Sequence, residues 1–245
     1  MKALFITVIA GVFFIIGSLL AIFGKNKKGL IDFSIGLAFS VMLFLLAFDI
    51  VPEVIELLEG RSTIFMYVFI FIGIAILKLI DLLIPHHDHD KEKKHHERHL
   101  KHIGIISSLA LIVHNIIEGM AIYNIASIDA KAGILMAVGV GLHNVPFGMG
   151  ITATLNETAK NKKMVVMNIS LLSFSTVFGA LIMMLFGEIS DFTLAGLMSL
   201  TIGMIMYLIL FELLVELGAS KNKKMTTTGL VVGIIFMLFN LIIGG

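Results

Sequence analysis

Cysteine and tryptophan are missing from this chain of 245 residues, and only three tyrosines are present. Without cysteine the protein can form no disulfide, no thiolate metal site and no thiol nucleophile, so imidazole, carboxylate and amide groups remain for its chemistry. Without tryptophan, the aromatic residues that usually mark the two surfaces of a membrane are too few to define the depth of a helix.

Charged residues are also scarce, because they make up 14% of the chain against 58% hydrophobic residues. Soluble domains are about 45–50% apolar, so the composition excludes an ordinary soluble fold. A membrane-spanning helix needs about 20 apolar residues, and the sequence contains a series of such runs. We therefore predict a single-domain, all-α integral membrane protein, residues 1–245, with eight transmembrane helices. The expected spans cover residues 3–24, 30–58, 63–84, 103–126, 130–155, 163–186, 190–217 and 224–243.

Basic residues are divided unevenly between the two sides of this map. Fourteen of the 18 lysines and arginines fall in the loops after the first, third, fifth and seventh spans. Because positively charged loops stay in the cytoplasm, these four loops are predicted to be cytoplasmic. Both termini are then extracytoplasmic, in a multi-pass protein of the plasma or inner membrane that is surrounded by the lipid bilayer.

Acidic motifs of the same form lie in the second and seventh spans. Each reads Phe, acid, three residues, Glu, with Asp49 and Glu53 in the second span and Glu212 and Glu216 in the seventh. Because the two spans run in opposite directions, the match predicts an inverted repeat of spans 1–3 and 6–8 around spans 4 and 5, a 3+2+3 arrangement. The four carboxylates are candidates for the two ends of a cation pathway, with ordinary interfacial acids as the alternative.

Two polar hexapeptides interrupt the apolar fourth and fifth spans, one beginning at His114 and the other, 29 positions later, at His143. Ionisable groups inside a bilayer cost about 2.5–3.5 kcal/mol each, so the default interpretation is a functional polar site. His114 and Glu118 share one face of a helix, and the second helix can add His143. Two imidazoles, one carboxylate and water form a tetrahedral ligand set suited to zinc or a similar divalent ion.

Two other interpretations fit part of this pattern. Buried histidines can serve only to hold helices together, although two His-Asn pairs on adjacent spans make this less favoured. A metal-dependent membrane hydrolase would need a His-Glu-x-x-His frame. Glu118 instead follows its histidine by four positions, with no second histidine placed to complete that frame. The sequence therefore favours metal binding without an enzymatic reaction.

These motifs resemble those of the ZIP family of divalent metal transporters, in particular its bacterial branch, and the similarity covers all eight spans. In that family the fourth and fifth spans typically read His-Asn-x-Pro-Glu-Gly. The resemblance implies movement of a divalent metal into the cytoplasm, for which we expect zinc, a homodimer, and a bundle of spans 1, 4, 5 and 6 that slides against the remainder. The matching residues here are His114, Asn115, Glu118 and Gly119, and then His143, Asn144, Pro146 and Gly148.

The chain departs from the family pattern at two positions. Phe147 stands where the family has a glutamate in the fifth span, and Thr176 stands where the sixth span has one. Without these carboxylates the resemblance implies a single metal of modest affinity. A non-transporting metal sensor, or a transporter of another divalent metal such as Fe, Mn or Cd, would use the same ligands. The expected metal ligands are His114, Glu118 and His143, with Asn115 and Asn144 as weak or indirect partners.

Seven of the nine histidines lie between residues 86 and 102. The charge of this segment predicts a solvated cytoplasmic loop, and His-rich tracts collect divalent ions. We expect weak metal binding there and no essential role in transport, and we expect no nucleic acid as a partner. The candidate ligands of this loop are His86, His87, His89, His95 and His96.

Overall fold

The computed structural model describes residues 1–24, 27–83, 92–158, 162–187 and 189–244. Within these ranges every regular element is a helix, and the helices comprise α1 to α10 and two π-helical segments, π1 and π2. Their bounds are α1 Lys2–Phe23, α2 Lys27–Leu45, π1 Leu46–Ile50, α3 Val51–Leu57, α4 Ile64–Leu83, α5 Glu92–Ile128, α6 Ala130–Thr158, α7 Lys162–Phe186, α8 Asp191–Tyr207, π2 Leu208–Leu213, α9 Leu214–Ala219 and α10 Lys223–Gly244.

Eight helical stretches of the described chain are long and apolar enough to cross a membrane, which confirms the eight predicted spans. Span 2 joins α2, π1 and α3, and span 7 joins α8, π2 and α9, while each other span is a single helix. Each boundary lies within two residues of its predicted position. The agreement is this close because the length of an apolar run decides where a helix can lie in lipid.

The spans pack as two groups of four. In the first group, α1 and α5 each lie against both α6 and α7. The second group contains spans 2, 3, 7 and 8, with α4 packed on α8 and α10 packed on α2. Because α2 and α10 also touch α6, the fifth span lies at the border between the two groups.

Glycines stand at the closest helix contacts in both groups. A methyl group on any of them would collide with backbone atoms of the facing helix, so only glycine permits this approach. The contacts pair α1 with α6, α5 with α7, α4 with α8, and α2 with α10. An inverted repeat relates span 1 to span 6, span 2 to span 7, span 3 to span 8 and span 4 to span 5. Under this relation the α1–α6 contact corresponds to the α7–α5 contact, and the α4–α8 contact corresponds to the α10–α2 contact. The glycines are Gly17 and Gly148, Gly119 and Gly179, Gly73 and Gly203, and Gly36 and Gly229.

The first acid of each acidic motif lies in a π-helical segment. Asp49 is in π1, and Glu212 is in π2. A π-turn adds one residue to the α-helical register, and such turns occur frequently at functional sites. For π1 the sequence supplies a cause, because Pro52 has no N–H for the carbonyl of Phe48 and its ring would collide with that carbonyl in a regular α-helix.

The His-rich segment differs in part from its predicted form. Helix α5 begins at Glu92, so the second half of the segment is helical where a loop was expected. Glutamate, lysine, arginine and leucine all favour helix, and no glycine or proline separates this stretch from span 4. His86, His87 and His89 lie outside the residues that the structure describes, as do the side chains of His95 and His96.

Candidate metal centre

Helices α5 and α6 bring two imidazoles to one carboxylate. The Nε2 atoms of His114 and His143 each lie 2.9 Å from Glu118 Oε1. His114 is one helical turn before Glu118 on α5, and His143 approaches from the facing helix α6. The ligand atoms of the three residues all lie within 4.8 Å of one another, close enough to hold one ion between them.

Several polar atoms of this cluster are buried without a hydrogen bond. His114 is 2% exposed and His143 is 1% exposed. The contact between His143 and Glu118 has the geometry of a hydrogen bond. Among the described residues, however, His114 Nε2, His143 Nδ1 and Glu118 Oε2 have no hydrogen-bond partner. Because an unsatisfied buried polar group costs about 1–3 kcal/mol, a cation bound to these atoms would stabilise the cluster.

Asn115 and Asn144 tie helices together beside the cluster. Asn115 Nδ2 donates to the Leu172 carbonyl of α7 at 3.0 Å, and Asn144 Nδ2 donates to the Ala10 carbonyl of α1 at 3.3 Å. These bonds join the same helix pairs that glycines bring close. The two carboxamide oxygens have no hydrogen-bond partner within the described part of the chain, so they remain as candidate oxygen ligands.

The two departures noted in the sequence, Phe147 and Thr176, are both buried beside this cluster. Phe147 lies one turn after His143, and its ring meets that imidazole edge-on with the ring centroids 6.1 Å apart. Thr176 lies directly against Gly119, and its hydroxyl has no hydrogen-bond partner among the described residues. Since neither side chain carries charge, Glu118 is the one acidic member of this described cluster.

A cavity joins the cluster to the acidic motif of span 2. His114, Glu118, Asp49 and Glu53 all contribute to its lining. We call it the site cavity. Its lining residues lie away from the end of the molecule at which α1, α4, α6 and α9 finish, and we call that end the lysine-rich end. The structure therefore places both candidate acids of span 2 next to the cluster.

A second cavity lies toward the lysine-rich end. Phe147, Met42 and Leu213 line it, together with Ser34 and the buried Glu216 of span 7. We call it the lysine-side cavity. Among the described residues, none that lines this cavity also lines the site cavity. The two cavities therefore have different linings, and His114 and Glu118 of the cluster line the site cavity.

Glu212 belongs to a different group of side chains, in which Asp81, His102 and Glu212 have ligand atoms within 4.8 Å of one another. His102 Nε2 contacts Asp81 Oδ1, and the Tyr207 hydroxyl donates to Asp81 Oδ2 at 2.7 Å. The prediction of a solvated loop is wrong for His102, which is 7% exposed, because α5 begins at Glu92 and carries this side chain inside. The signal in the sequence was an acidic residue inside the third apolar run.

Comparison with known proteins finds relatives along the whole chain. A family model described as ZIP zinc transporter matches residues 85–241, which is more than half of the sequence. The zinc transporters ZupT of Shigella dysenteriae and Escherichia coli are 25% and 26% identical over 247 aligned positions, covering 98% of this chain and 96% of each relative. ZupT of Salmonella arizonae is 25% identical with the same coverage.

Proposed function

Because this chain belongs to the ZIP zinc transporter family, we propose that it carries zinc into the cytoplasm through a site formed by His114, Glu118 and His143. The chain is a multi-pass membrane protein, and its family transports a divalent metal ion as substrate. The observation that carries the proposal is the approach of two buried imidazoles to one carboxylate between neighbouring spans. Nitrogen and oxygen ligands of these types suit zinc.

We propose that the site holds one metal ion at a time. Two divalent ions about 4 Å apart repel each other by roughly 16 kcal/mol at an effective dielectric constant of about 20. A single carboxylate does not offset this repulsion, and Phe147 and Thr176 add no charge. One carboxylate also leaves the bound zinc with uncompensated positive charge, so its affinity is modest and its release is fast enough for transport.

We propose that the metal crosses by alternating access, as one group of helices slides against the other. His114, Glu118 and His143 all lie on α5 and α6 of the first group. Asp49 and Glu216, which line the cavities on either side, belong to spans 2 and 7 of the second group. A relative shift of the groups would therefore exchange the carboxylate that faces the metal, from the acid of span 2 to that of span 7.

We propose that the lysine-rich end faces the cytoplasm, since basic loops are retained there. Zinc then enters through the site cavity and leaves through the lysine-side cavity, and both termini are extracytoplasmic. Asp81, His102 and Glu212 supply further nitrogen and oxygen donors toward the exit. A homodimer in the cell membrane is proposed from the family resemblance.

Uptake of radiolabelled zinc into proteoliposomes tests the proposed function. Wild-type protein should accumulate zinc, and His143→Ala should reduce the initial rate at least about tenfold because it removes one of two imidazole ligands. As a control, Asn240→Ala removes a buried polar side chain of α10 outside both cavities and should leave uptake unchanged. Zinc binding without uptake in the wild type would contradict transport and support a sensor, and preferential uptake of Fe, Mn or Cd would change the substrate.

Removing both acids of span 2 should weaken the capture of zinc. In the double variant Asp49→Asn with Glu53→Gln, the zinc concentration for half-maximal uptake should rise about three- to tenfold, because a negatively charged cavity concentrates cations. The maximal rate should change little. The measurement is the initial uptake rate against zinc concentration at two ionic strengths, and added salt should reduce the difference from the wild type.

The matched control removes two exposed carboxylates from the same end of the molecule. Glu56→Gln with Glu59→Gln causes the same loss of charge at positions that do not line the site cavity. This pair should transport as the wild type does. If both double variants raise the half-maximal concentration equally, the overall surface charge explains the effect and Asp49 and Glu53 have no specific role.

A further inference from the structure

One buried aromatic ring lies between the metal cluster and the lysine-side cavity. Phe147 follows His143 by one turn toward the lysine-rich end of α6 and lines the lysine-side cavity, with 1% of its surface exposed. Its ring edge meets the His143 imidazole, whose Nε2 contacts Glu118. The phenyl ring therefore has the metal cluster on one side and the lysine-side cavity on the other.

Two further apolar side chains line the lysine-side cavity together with this ring. Met42 of α2 and Leu213 of π2 line the same cavity as Phe147, and all three belong to one buried apolar cluster. Phe147 lies on the first group of helices, whereas Met42 and Leu213 lie on the second. This apolar part of the cavity lining thus comes from both groups, and a relative shift between them would separate its parts.

We propose that Phe147 is the barrier that closes the metal site toward the lysine-side cavity, and that zinc leaves only when the two helix groups move apart at this ring. A divalent ion carries a tightly held hydration shell, and an apolar constriction without water blocks its passage. This assignment rests on the proposed function, because it names the residue that separates binding from release. Phe147 is a gating residue in this scheme, with no bond to the metal.

The absence of cysteine makes the barrier directly testable by labelling. Ser34→Cys places a thiol in the lysine-side cavity, and Ala121→Cys places one in the site cavity. Each reporter is combined with wild-type Phe147, Phe147→Ala or Phe147→Leu in proteoliposomes. A membrane-impermeant methanethiosulfonate reagent is then added on the side opposite the lysine-rich end. Phe14→Ala is the matched control, since Phe14 is equally buried in the same apolar cluster but lines neither cavity.

With Phe147 present, the reagent should reach Ala121→Cys and label Ser34→Cys only slowly. Phe147→Ala should raise the labelling rate of Ser34→Cys at least about tenfold, because the apolar constriction is removed. Phe147→Leu keeps most of the packing and should raise the rate about threefold, so the proposal stays testable if the alanine variant does not fold. Phe14→Ala should leave the rate unchanged.

An unchanged rate in both Phe147 variants, with Ala121→Cys still reactive, would overturn the assignment. An equal increase in Phe14→Ala would also overturn it, because loosened packing would then explain the access. Labelling requires no zinc flux, so the two proposals fail separately. If the protein takes up zinc but the Phe147 variants are labelled at the wild-type rate, the gating proposal is refuted and the proposed transport stands. If the Phe147 variants are labelled faster but the wild type takes up no zinc, the barrier is supported and the proposed transport is refuted.

Discussion

Glu118→Gln should weaken zinc binding about a hundredfold, which corresponds to about 2.7 kcal/mol, and should reduce zinc uptake to background. Glu118 is the single acidic group in the described cluster, and its Oε1 lies 2.9 Å from both imidazoles. The glutamine keeps the size of the side chain and one oxygen ligand but removes the negative charge that opposes the charge of zinc. At short range in a protein interior this attraction amounts to several kcal/mol, of which the amide retains part.

Binding and stability can be measured on the same variant to separate affinity from folding. A chelator competition assay in detergent gives the dissociation constant, and thermal unfolding with and without zinc gives the stabilisation by the ligand. Without zinc, Glu118→Gln should be at least as stable as the wild type, because it removes a buried carboxylate. Glu59→Gln, at an exposed position, is the control for loss of one charge. A dissociation constant within threefold of the wild type would contradict the proposed ligand role of Glu118.

Gly148→Ala should destabilise the fold by about 3 kcal/mol, whereas Gly139→Ala, on the same helix, should be neutral or stabilising. A Cβ atom on Gly148 would overlap the Phe14 carbonyl and approach the Ser18 amide, both backbone groups of α1. The backbone cannot yield unless α1 moves away from α6. A Cβ atom on Gly139 meets only Asn240 Oδ1, at an ordinary 3.9 Å, so alanine there lowers the backbone entropy of the unfolded chain without a clash.

Both variants carry the same glycine-to-alanine substitution in the same helix, so a difference in their stability reports the contact between α1 and α6 at Gly148. The measurement is the fraction of protein that stays monodisperse on size exclusion after heating in detergent, with circular dichroism for residual helix. Gly148→Ala should lose the folded fraction at a temperature about 10 °C lower than the wild type. Equal behaviour of the two variants would show that the close approach of α1 and α6 is not required.

The spans were predictable because their signal is local. Each apolar run of about 20 residues must form a helix in lipid, since its backbone groups have no other hydrogen-bond partners there. This requirement does not depend on neighbouring helices, so the eight boundaries agree with the structure to within two residues. The repeated acidic motifs likewise indicated an inverted repeat, and the paired helix contacts follow the exchange of spans that such a repeat requires.

The candidate ligands were predictable as residue types, but their distances were not. The spacing of His114 and Glu118 places both on one face of α5, which is a property of any α-helix. That His143 reaches the same oxygen of Glu118 depends on how α6 crosses α5, and this crossing follows from the glycines that set α6 against α1 and α5 against α7. The role of these residues in metal binding stays a prediction for the zinc experiments.

The environment of His102 shows why part of the site escaped prediction. Its neighbours in sequence are charged, which indicated solvent, but its side chain contacts Asp81 from another span, where Tyr207 also donates a hydrogen bond. His102 and Tyr207 lie 21 and 126 positions away in sequence from the Asp81 carboxylate that they share. No local pattern encodes such a meeting, because it results from packing of helices that are distant along the chain.

The sequence by itself determined the number and limits of the spans, the concentration of basic residues in alternate loops, and the kinds of side chain that can bind a metal. It could do so because hydropathy, charge and helical periodicity act over short segments. Only the tertiary structure decided that Glu118 lies between two imidazoles, that Asp49 and Glu53 share a cavity with it, and that the Phe147 ring lies between His143 and the lysine-side cavity. These features depend on distances and enclosed volumes between helices, which the close glycine contacts and the buried side chains determine together.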